Sequence, residues 1–191
     1  MERVLDGKKV AILVADGFEQ VELTEPKAAL EAAGATTEIV SPAKNEVQGW
    51  NHDEKADAFH VDMPLDRARS DDYDALLLPG GVRNPDQLRQ LTRALEFIDG
   101  FFVTGKPVAA ICHAPWTLIE AGVVDGRKMT SWPSLKTDLR NAGANWVDRE
   151  VVVDKGLVSS RKPADIPAVN RKMVDAFAEG RRFQQRFRLV K

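Results

Sequence analysis

The chain alternates short apolar runs with longer segments of helical periodicity, and this alternation limits the possible folds more than any other feature. Apolar runs cover residues 9–15, 74–78 and 108–111, and each leads into a turn or a helical pattern. Strands that are buried on both faces of a parallel sheet consist of such continuous apolar residues. We therefore predict an α/β fold with a mostly parallel sheet that is covered by helices.

The other elements are placed by periodicity and by turn residues. Helical patterns cover residues 22–33, 85–103, 115–121, 135–141 and 166–178, and further strands are expected at 36–40, 147–153 and 157–160. Residues 43–71 are polar and lack clean periodicity, so we expect a loop there that includes at most a short hairpin. No repeat, low-complexity segment or linker interrupts the 191 residues, so we predict one domain over residues 1–191.

The last eleven residues, RRFQQRFRLVK, form a short basic extension at 181–191. Basic side chains interleaved with Phe183 and Phe187 are compatible with binding to nucleic acid. The alternation also suits an added strand or packing between subunits, and we favour packing.

The composition argues against several classes of protein. A formal net charge of −2 provides no general attraction to nucleic acid or to an anionic membrane. The single cysteine cannot form an internal disulfide, so nothing indicates a disulfide-stapled secreted fold. The N-terminus lacks the apolar segment of a signal peptide, and no uncharged apolar run approaches the ~18 residues of a membrane span. We expect a soluble cytoplasmic protein.

Cys112 lies where the run 108–111 meets a helical pattern that begins near Pro115. Ligands of parallel α/β sheets bind beyond the carboxyl ends of the strands. Residues 16–19 and the pair Gly80-Gly81 follow two other strands, so a thiol, carboxylates and a glycine turn are predicted to meet in one crevice. Unpaired N–H groups at the start of a helix favour the nucleophilic thiolate. The alternative is a buried structural cysteine, but the neighbouring His113 and the glycine turn favour a reactive thiol.

These motifs resemble a known family. The segments PVAAICHAPWTLIEAGVVDGRKMTSW, LLLPGG, DGFEQVELTEP and WVDREVVVDKGLVSSRKPADIP are similar in order and spacing to the DJ-1/ThiJ/PfpI superfamily. The similarity is greatest to its PfpI branch of intracellular proteases, general stress proteins and protein deglycases. It implies a flavodoxin-like three-layer sandwich, related to class I glutamine amidotransferases, with the cysteine on a nucleophile elbow. It also implies a homodimer or a larger oligomer.

The resemblance assigns roles to single residues. Glu19 matches the family glutamate whose carboxyl group contacts the nucleophile sulfur, whereas Glu22 is interpreted as a surface acid. Because a carboxylate raises the pKa of a neighbouring thiol, Glu19 helps only in its protonated form. His113 matches the catalytic base or acid of the PfpI branch. Asp86 matches the acidic residue that reaches this histidine across a subunit interface, although one extra residue separates it from the glycine turn, and a helix cap is the alternative role.

The remaining members of the expected site line the crevice. The N–H groups of Gly81 and His113 are expected to form an oxyanion hole. Gly80 and Trp132 are expected in the pocket, with a core position as the alternative for Trp132. His52 and His60 are interpreted as solvated surface residues. No dinucleotide-binding glycine motif and no cluster with metal-ligand spacing is present, so we expect neither a cofactor nor a metal.

Two classes of function are compatible with these residues. The first is a cysteine-dependent hydrolase that repairs glyoxal- or methylglyoxal-modified proteins and nucleotides, or that converts the free aldehyde to a hydroxy acid; peptide hydrolysis is the older label of the family. The second is a stress sensor or chaperone with little turnover, in which Cys112 is oxidised. Carbonyl chemistry is favoured over peptide hydrolysis because a hemithioacetal forms readily, whereas a peptide must expel an amine. The expected partners are small carbonyl compounds, glycated proteins or nucleotides, and further copies of the chain.

Overall fold

The chain folds as the predicted alternation of strands and helices. The structure, a computed structural model, describes residues 3–180. Its strands are β1 Lys9–Leu13, β2 Phe18–Glu19, β3 Thr36–Ser41, β4 Glu46–Asn51, β5 Glu54–His60, β6 Met63–Pro64, β7 Ala75–Leu78, β8 Val108–Ile111, β9 Lys128–Met129, β10 Asn145–Trp146, β11 Val151–Asp154 and β12 Leu157–Ser160. Its α-helices are α1 Val21–Ala32, α2 Arg83–Leu88, α3 Thr92–Val103, α4 Pro115–Glu120, α5 Lys136–Asn141 and α6 Ile166–Glu179.

The central sheet has seven strands in the order β11-β12-β8-β7-β1-β3-β6. Every neighbouring pair is parallel except β11 and β12, which are antiparallel. The carboxyl ends of β1, β7 and β8 therefore lie side by side at one edge, where parallel sheets bind their ligands. This topology confirms the predicted α/β fold with a mostly parallel sheet.

Two apolar clusters, one on each face of the sheet, hold the helices in place. Along β1, Val10 and Ile12 belong to the cluster that α1 and α6 cover, whereas Ala11 and Leu13 belong to the cluster under α3 and α4. Because both faces are covered, successive residues of the strand must all be apolar. This packing produces three layers, helices–sheet–helices, and explains the continuous apolar runs.

The segment 43–71 is more regular than predicted. β4 and β5 form an antiparallel hairpin, and β2 pairs in parallel with β4 to make a separate three-stranded sheet. Only a few hairpin side chains, among them Val47 and Phe59, pack against the core, and β5 is largely exposed. A strand without a buried face lacks apolar alternation. The expected loop is therefore mostly strand, and the sequence pattern underestimated the hairpin.

The single helix predicted over residues 85–103 is wrong, since the structure has two helices with a break at residues 89–91. Leu91 has an extended backbone, with φ −99° and ψ 106°, and it is exposed. Leu88 and Ile98, on either side of the break, are buried in the same cluster. Apolar spacing continues through the break because both helices pack on one face of the sheet, and this continuity concealed the break.

Three further predictions concern the strand at residues 147–153, membrane-spanning segments and the C-terminal extension. The strand predicted over 147–153 begins only at Val151, although its hairpin with β12 is confirmed. None of the helices between residues 3 and 180 has the length and apolar character needed to span a membrane. The basic extension 181–191, with Phe183 and Phe187, lies outside the described residues.

Candidate active site

Cys112 lies on a tight turn between β8 and α4. Its backbone has φ +61°, a left-handed conformation that costs a residue with a side chain about 1–2 kcal/mol. Two hydrogen bonds hold this turn: the Cys112 N–H donates to the Ser160 carbonyl over 3.1 Å, and the Trp132 N–H donates to the Cys112 carbonyl over 2.9 Å. The turn places the thiol in the crevice at the carboxyl edge of the sheet.

The strained turn brings the side chains of Cys112 and His113 together. Their Sγ and Nδ1 atoms lie 3.1 Å apart, and both residues are buried. Neighbouring side chains normally diverge, so this contact depends on the left-handed backbone at Cys112. Burial lowers the pKa of His113 to about 4, so its imidazole is neutral at neutral pH. In the tautomer that carries the proton on Nε2, Nδ1 accepts a hydrogen bond from the thiol.

Two tryptophans orient the His113 ring. Trp132 stacks on it with a centroid separation of 5.6 Å and an angle of 24°, and Trp116 packs at 5.3 Å and 58°. Trp132 also forms part of the pocket wall, and the structure therefore brings it into the site. No carboxylate between residues 3 and 180 bonds to His113. Aromatic packing, rather than an acid of the same chain, holds the imidazole.

The carboxyl group beside the sulfur belongs to Glu22, and the assignment of that contact to Glu19 is wrong. Glu22 is fully buried in the first turn of α1, where its Oε2 accepts the Gly80 N–H over 2.8 Å and its carboxyl group lies beside Cys112, while its Oε1 has no hydrogen-bond partner among the described residues. Glu19 lies on β2, and its Oε2 accepts the N–H of His52 over 3.1 Å. Because β2 pairs with the hairpin, Glu19 faces the hairpin side of the crevice. The interpretation of Glu22 as a surface acid is also wrong.

Burial governs the charge of Glu22. The pKa of its carboxyl group is raised to about 8, chiefly because burial removes water from the charged form; the Gly80 N–H lowers this pKa, and the neighbouring charge of Glu19 contributes to raising it. Glu22 is therefore mostly protonated at neutral pH. A protonated carboxyl group donates a hydrogen bond, which a surface carboxylate does not.

The pKa of the Cys112 thiol is raised, whereas its predicted position at the start of a helix led us to expect a lowered pKa. Burial raises the pKa of Cys112, and the negative charge of Glu22 raises it further, whereas the N–H groups of Gly81 and His113 lower it. The predicted effect of the helix start fails because α4 begins only at Pro115 and desolvation outweighs the amide groups. Cys112 and Glu22 titrate as a coupled pair, in which one negative charge opposes the other.

The glycine turn after β7 requires both of its glycines. A Cβ at Gly80 would lie 2.6 Å from Glu22 Oε2 and 2.7 Å from Cys112 Cβ, both closer than real contacts allow. Gly81 has φ +80°, and its Cβ would lie 2.7 Å from the carbonyl oxygen of Gly17. Only residues without side chains let this turn approach the sulfur closely enough for the Gly81 N–H to face it.

Asn84 holds the glycine turn and was missed by the sequence analysis. Its Oδ1 accepts the Ala15 N–H over 2.7 Å, and its Nδ2 donates to the carbonyls of Pro79 and Gly80 over 2.9 and 3.0 Å. The side chain is completely buried. These bonds join the ends of β1 and β7. In the sequence, an asparagine before Pro85 indicates a turn residue and no more.

The crevice encloses a cavity of about 280 Å³. Cys112 and His113 line it from the elbow, and Trp50, His52 and Asp53 line it from the hairpin. This volume lies just below the range of about 300–1,000 Å³ typical of sites for drug-sized ligands. The cavity therefore suits a small molecule or a single side chain.

Three other predicted residues lie away from the sulfur. His52 borders the cavity with 78% of its side chain exposed, and His60 is exposed at the end of β5, as expected for surface histidines. Asp86 is exposed on α2 and does not line the cavity. Within one chain it does not contact His113, and its contact with the histidine of a second copy stays a prediction.

Comparisons with known proteins show which family this chain is similar to. The model of the DJ-1/PfpI family matches residues 8–176. General stress protein 18 of Bacillus subtilis is 45% identical over 168 residues, which cover 87% of this chain and 95% of that protein. Deglycase PH1704 of Pyrococcus horikoshii is 44% identical over 166 residues, which cover 87% and 97% of the two chains. The crystal structure of Drosophila melanogaster DJ-1beta superposes with a TM-score of 0.81 at 28% identity, covering 90% of each chain.

Proposed function

Because this chain belongs to the DJ-1/PfpI family, we propose that it is a cofactor-independent hydrolase that protects against stress by acting on carbonyl compounds or carbonyl adducts. Relatives that bear the names deglycase and general stress protein support this class of activity. The observation that carries the proposal is the 3.1 Å contact between Cys112 Sγ and His113 Nδ1, with the buried Glu22 carboxyl group beside the same residue. A thiol between two proton carriers is the arrangement that nucleophilic catalysis needs.

The first step is addition of the thiol to an aldehyde. Cys112 Sγ attacks the carbonyl carbon while its proton passes to His113 Nδ1, and the carbonyl oxygen gains the electron pair of the broken π bond. The N–H groups of Gly81 and His113, which face the sulfur, stabilise this developing negative charge. Return of the proton from His113 to the oxygen gives a neutral hemithioacetal.

The second stage needs only proton transfers and water. In a 2-oxoaldehyde, the hemithioacetal becomes a thioester when the proton on the former aldehyde carbon moves to the neighbouring carbonyl carbon and the hydroxyl proton moves to the neighbouring carbonyl oxygen. Water then hydrolyses the thioester to a hydroxy acid and regenerates the thiol. The Glu22 carboxyl group beside Cys112 is the group we assign to this proton transfer, with its ionised form taking the proton from carbon. No external oxidant or reductant is consumed, because one carbon is oxidised as its neighbour is reduced.

Peptide hydrolysis fits the site less well. A cavity of about 280 Å³ is small for a bound polypeptide segment. The His113 ring packs against Trp116 and Trp132 and, within residues 3–180, bonds to no carboxylate that would stabilise the imidazolium needed to expel an amine. These two features favour small carbonyl substrates.

The proposal is tested with the variants Cys112→Ser, Glu22→Gln and His113→Gln, assayed against methylglyoxal, a methylglyoxal-modified arginine peptide and an unmodified peptide. We expect the wild type to consume the carbonyl substrates, Cys112→Ser to be inactive, and the other two variants to be slowed. Full activity of Cys112→Ser, or cleavage of the unmodified peptide alone, would refute the proposal. Oxidation of Cys112 by peroxide in a protein without carbonyl turnover would support the sensor instead.

A further inference from the structure

Arg83 is held in a fixed position at the mouth of the cavity. It is the first residue of α2 and lines the cavity with an exposed side chain. Its guanidinium carbon lies 4.2 Å from the centre of the Trp50 ring, within the range of a cation–π interaction. Its stem packs on Gly17, where an added Cβ would lie 2.6 Å from Arg83 Cβ. Packing on both sides orders this side chain before any ligand binds.

The positive charge of Arg83 is not neutralised by a carboxylate in the described part of the chain. Arg161 pairs with Asp148 and Asp165, and Arg89 pairs with Glu120, but no ion pair of Arg83 occurs between residues 3 and 180. Its guanidinium edge therefore keeps its hydrogen-bond donors for a ligand.

The acidic side chains that line the cavity do not attract an anion, so Arg83 is the group towards which an anion is drawn. Glu22 is buried beside the sulfur, and Glu19 accepts the His52 N–H with one of its oxygens. Asp53 lies on the hairpin turn at the cavity wall. Like charges repel, so an anionic group that enters the cavity is directed away from Glu19 and Asp53 and towards Arg83.

We propose that Arg83 is a specificity-determining residue that binds a carboxylate on the carbonyl substrate, so that small aldehydes bearing a carboxylate are preferred. The planar guanidinium matches a carboxylate in a bidentate geometry. The cavity volume of about 280 Å³ limits the substrate to a short oxo acid whose carbonyl carbon meets Cys112 while its carboxylate meets Arg83. The inference deepens the proposed function and rests on it for the identity of the reaction.

The binding step is tested without turnover by alkylation of Cys112, the only cysteine of the chain. Iodoacetate and iodoacetamide are of similar size, but only the first carries a carboxylate. In both reactions the sulfur displaces iodide, a C–S bond replaces the C–I bond, and the thiol proton leaves to solvent. The ratio of the two rate constants, divided by the same ratio for free cysteine, measures how strongly the cavity favours the anion.

Arg83→Gln should lower this normalised ratio by roughly fivefold to tenfold, as expected for loss of a partly exposed charge-assisted hydrogen bond. Arg83→Lys should retain part of it, because the charge remains while the planar fork is lost. Arg89→Gln is the matched control: Arg89 also packs near a tryptophan, Trp116, but does not line the cavity. An unchanged ratio in Arg83→Gln, or an equal fall in Arg89→Gln, would overturn the proposal.

Steady-state kinetics with methylglyoxal and with 4,5-dioxopentanoate, a 2-oxoaldehyde that also carries a carboxylate, give the second readout. Arg83→Gln should raise the KM for 4,5-dioxopentanoate relative to the KM for methylglyoxal by a similar factor, with the loss in KM rather than in kcat, because a binding contact is lost and not a reacting group. If neither compound is consumed by the wild type, the proposed function fails, while the alkylation ratio still decides whether Arg83 binds carboxylates.

Discussion

Replacing Glu22 with glutamine should make the protein's stability much less dependent on pH. The Glu22 pKa is 4.5 in the unfolded chain and about 8 when folded, so the folded state binds more protons between these values. A pKa raised by folding gives stability that is complete below pH 4.5 and is lost as the pH rises towards 8. Within that window, the free energy of unfolding falls by about 1.4 kcal/mol for each pH unit, which is about 3 kcal/mol between pH 5 and pH 7. Glutamine resembles the protonated acid in shape and does not titrate.

The assay is urea unfolding of wild type and Glu22→Gln at pH 5, 6 and 7. We expect the difference in unfolding free energy, variant minus wild type, to grow in favour of the variant by about 3 kcal/mol over this range. The buried His113 titrates in both proteins and cancels in the difference. Glu25→Gln, which removes an exposed acid from the same helix, is the control and should leave the pH dependence parallel to that of the wild type. Parallel curves for Glu22→Gln would refute the assignment of a raised pKa to this buried acid.

Two other substitutions and one pH profile test the supports of the site. Gly80→Ala should destabilise the fold by at least about 2 kcal/mol and stop turnover, because its Cβ collides with Glu22 and Cys112. The control is Gly126→Ala, whose Cβ would have no atom within 4 Å and which should cost only the strain of its positive φ. Equal losses of unfolding free energy in the two variants would contradict this reasoning. Asn84→Ala should cost about 3 kcal/mol in thermal or urea unfolding, because it leaves the Ala15 N–H and the Pro79 carbonyl without their partner and the Gly80 carbonyl with the Glu19 N–H alone. A cost below about 1 kcal/mol would show that Asn84 does not hold the turn. Because the pKa of His113 is about 4, kcat/KM of the wild type should not fall near pH 6.5, and a titration at that pH would contradict the buried neutral imidazole.

The sequence predicted those parts of the site that depend on strand ends. Cys112, His113 and Gly80-Gly81 follow apolar strands, and parallel strands bring their carboxyl ends together whatever the packing elsewhere. The choice between Glu19 and Glu22 was different. These acids are three residues apart, and the one that points at the sulfur is decided by where β2 ends and α1 begins. Element boundaries of this kind are poorly determined by local sequence patterns, because tertiary pairing sets them.

The hairpin and the residues at the mouth of the cavity also could not be predicted from local sequence patterns. β5 has no buried face, so its residues carry no apolar alternation, although it helps to present Trp50 and His52 to the cavity. The contact of Arg83 with Trp50 joins a helix start to that hairpin across 33 positions of sequence. The thiol pKa was predicted in the wrong direction because desolvation depends on the surrounding packing, which the sequence of the turn does not contain.

Titration of native protein with iodoacetamide tests most directly whether the sulfur of Cys112 performs the chemistry. Because the chain has one cysteine, the alkylated fraction can be measured by intact mass on the same samples that are assayed for methylglyoxal consumption. We predict that the rate falls in proportion to the unmodified fraction and reaches zero when every chain carries one alkyl group. Turnover that persists in fully alkylated, folded protein would contradict the account.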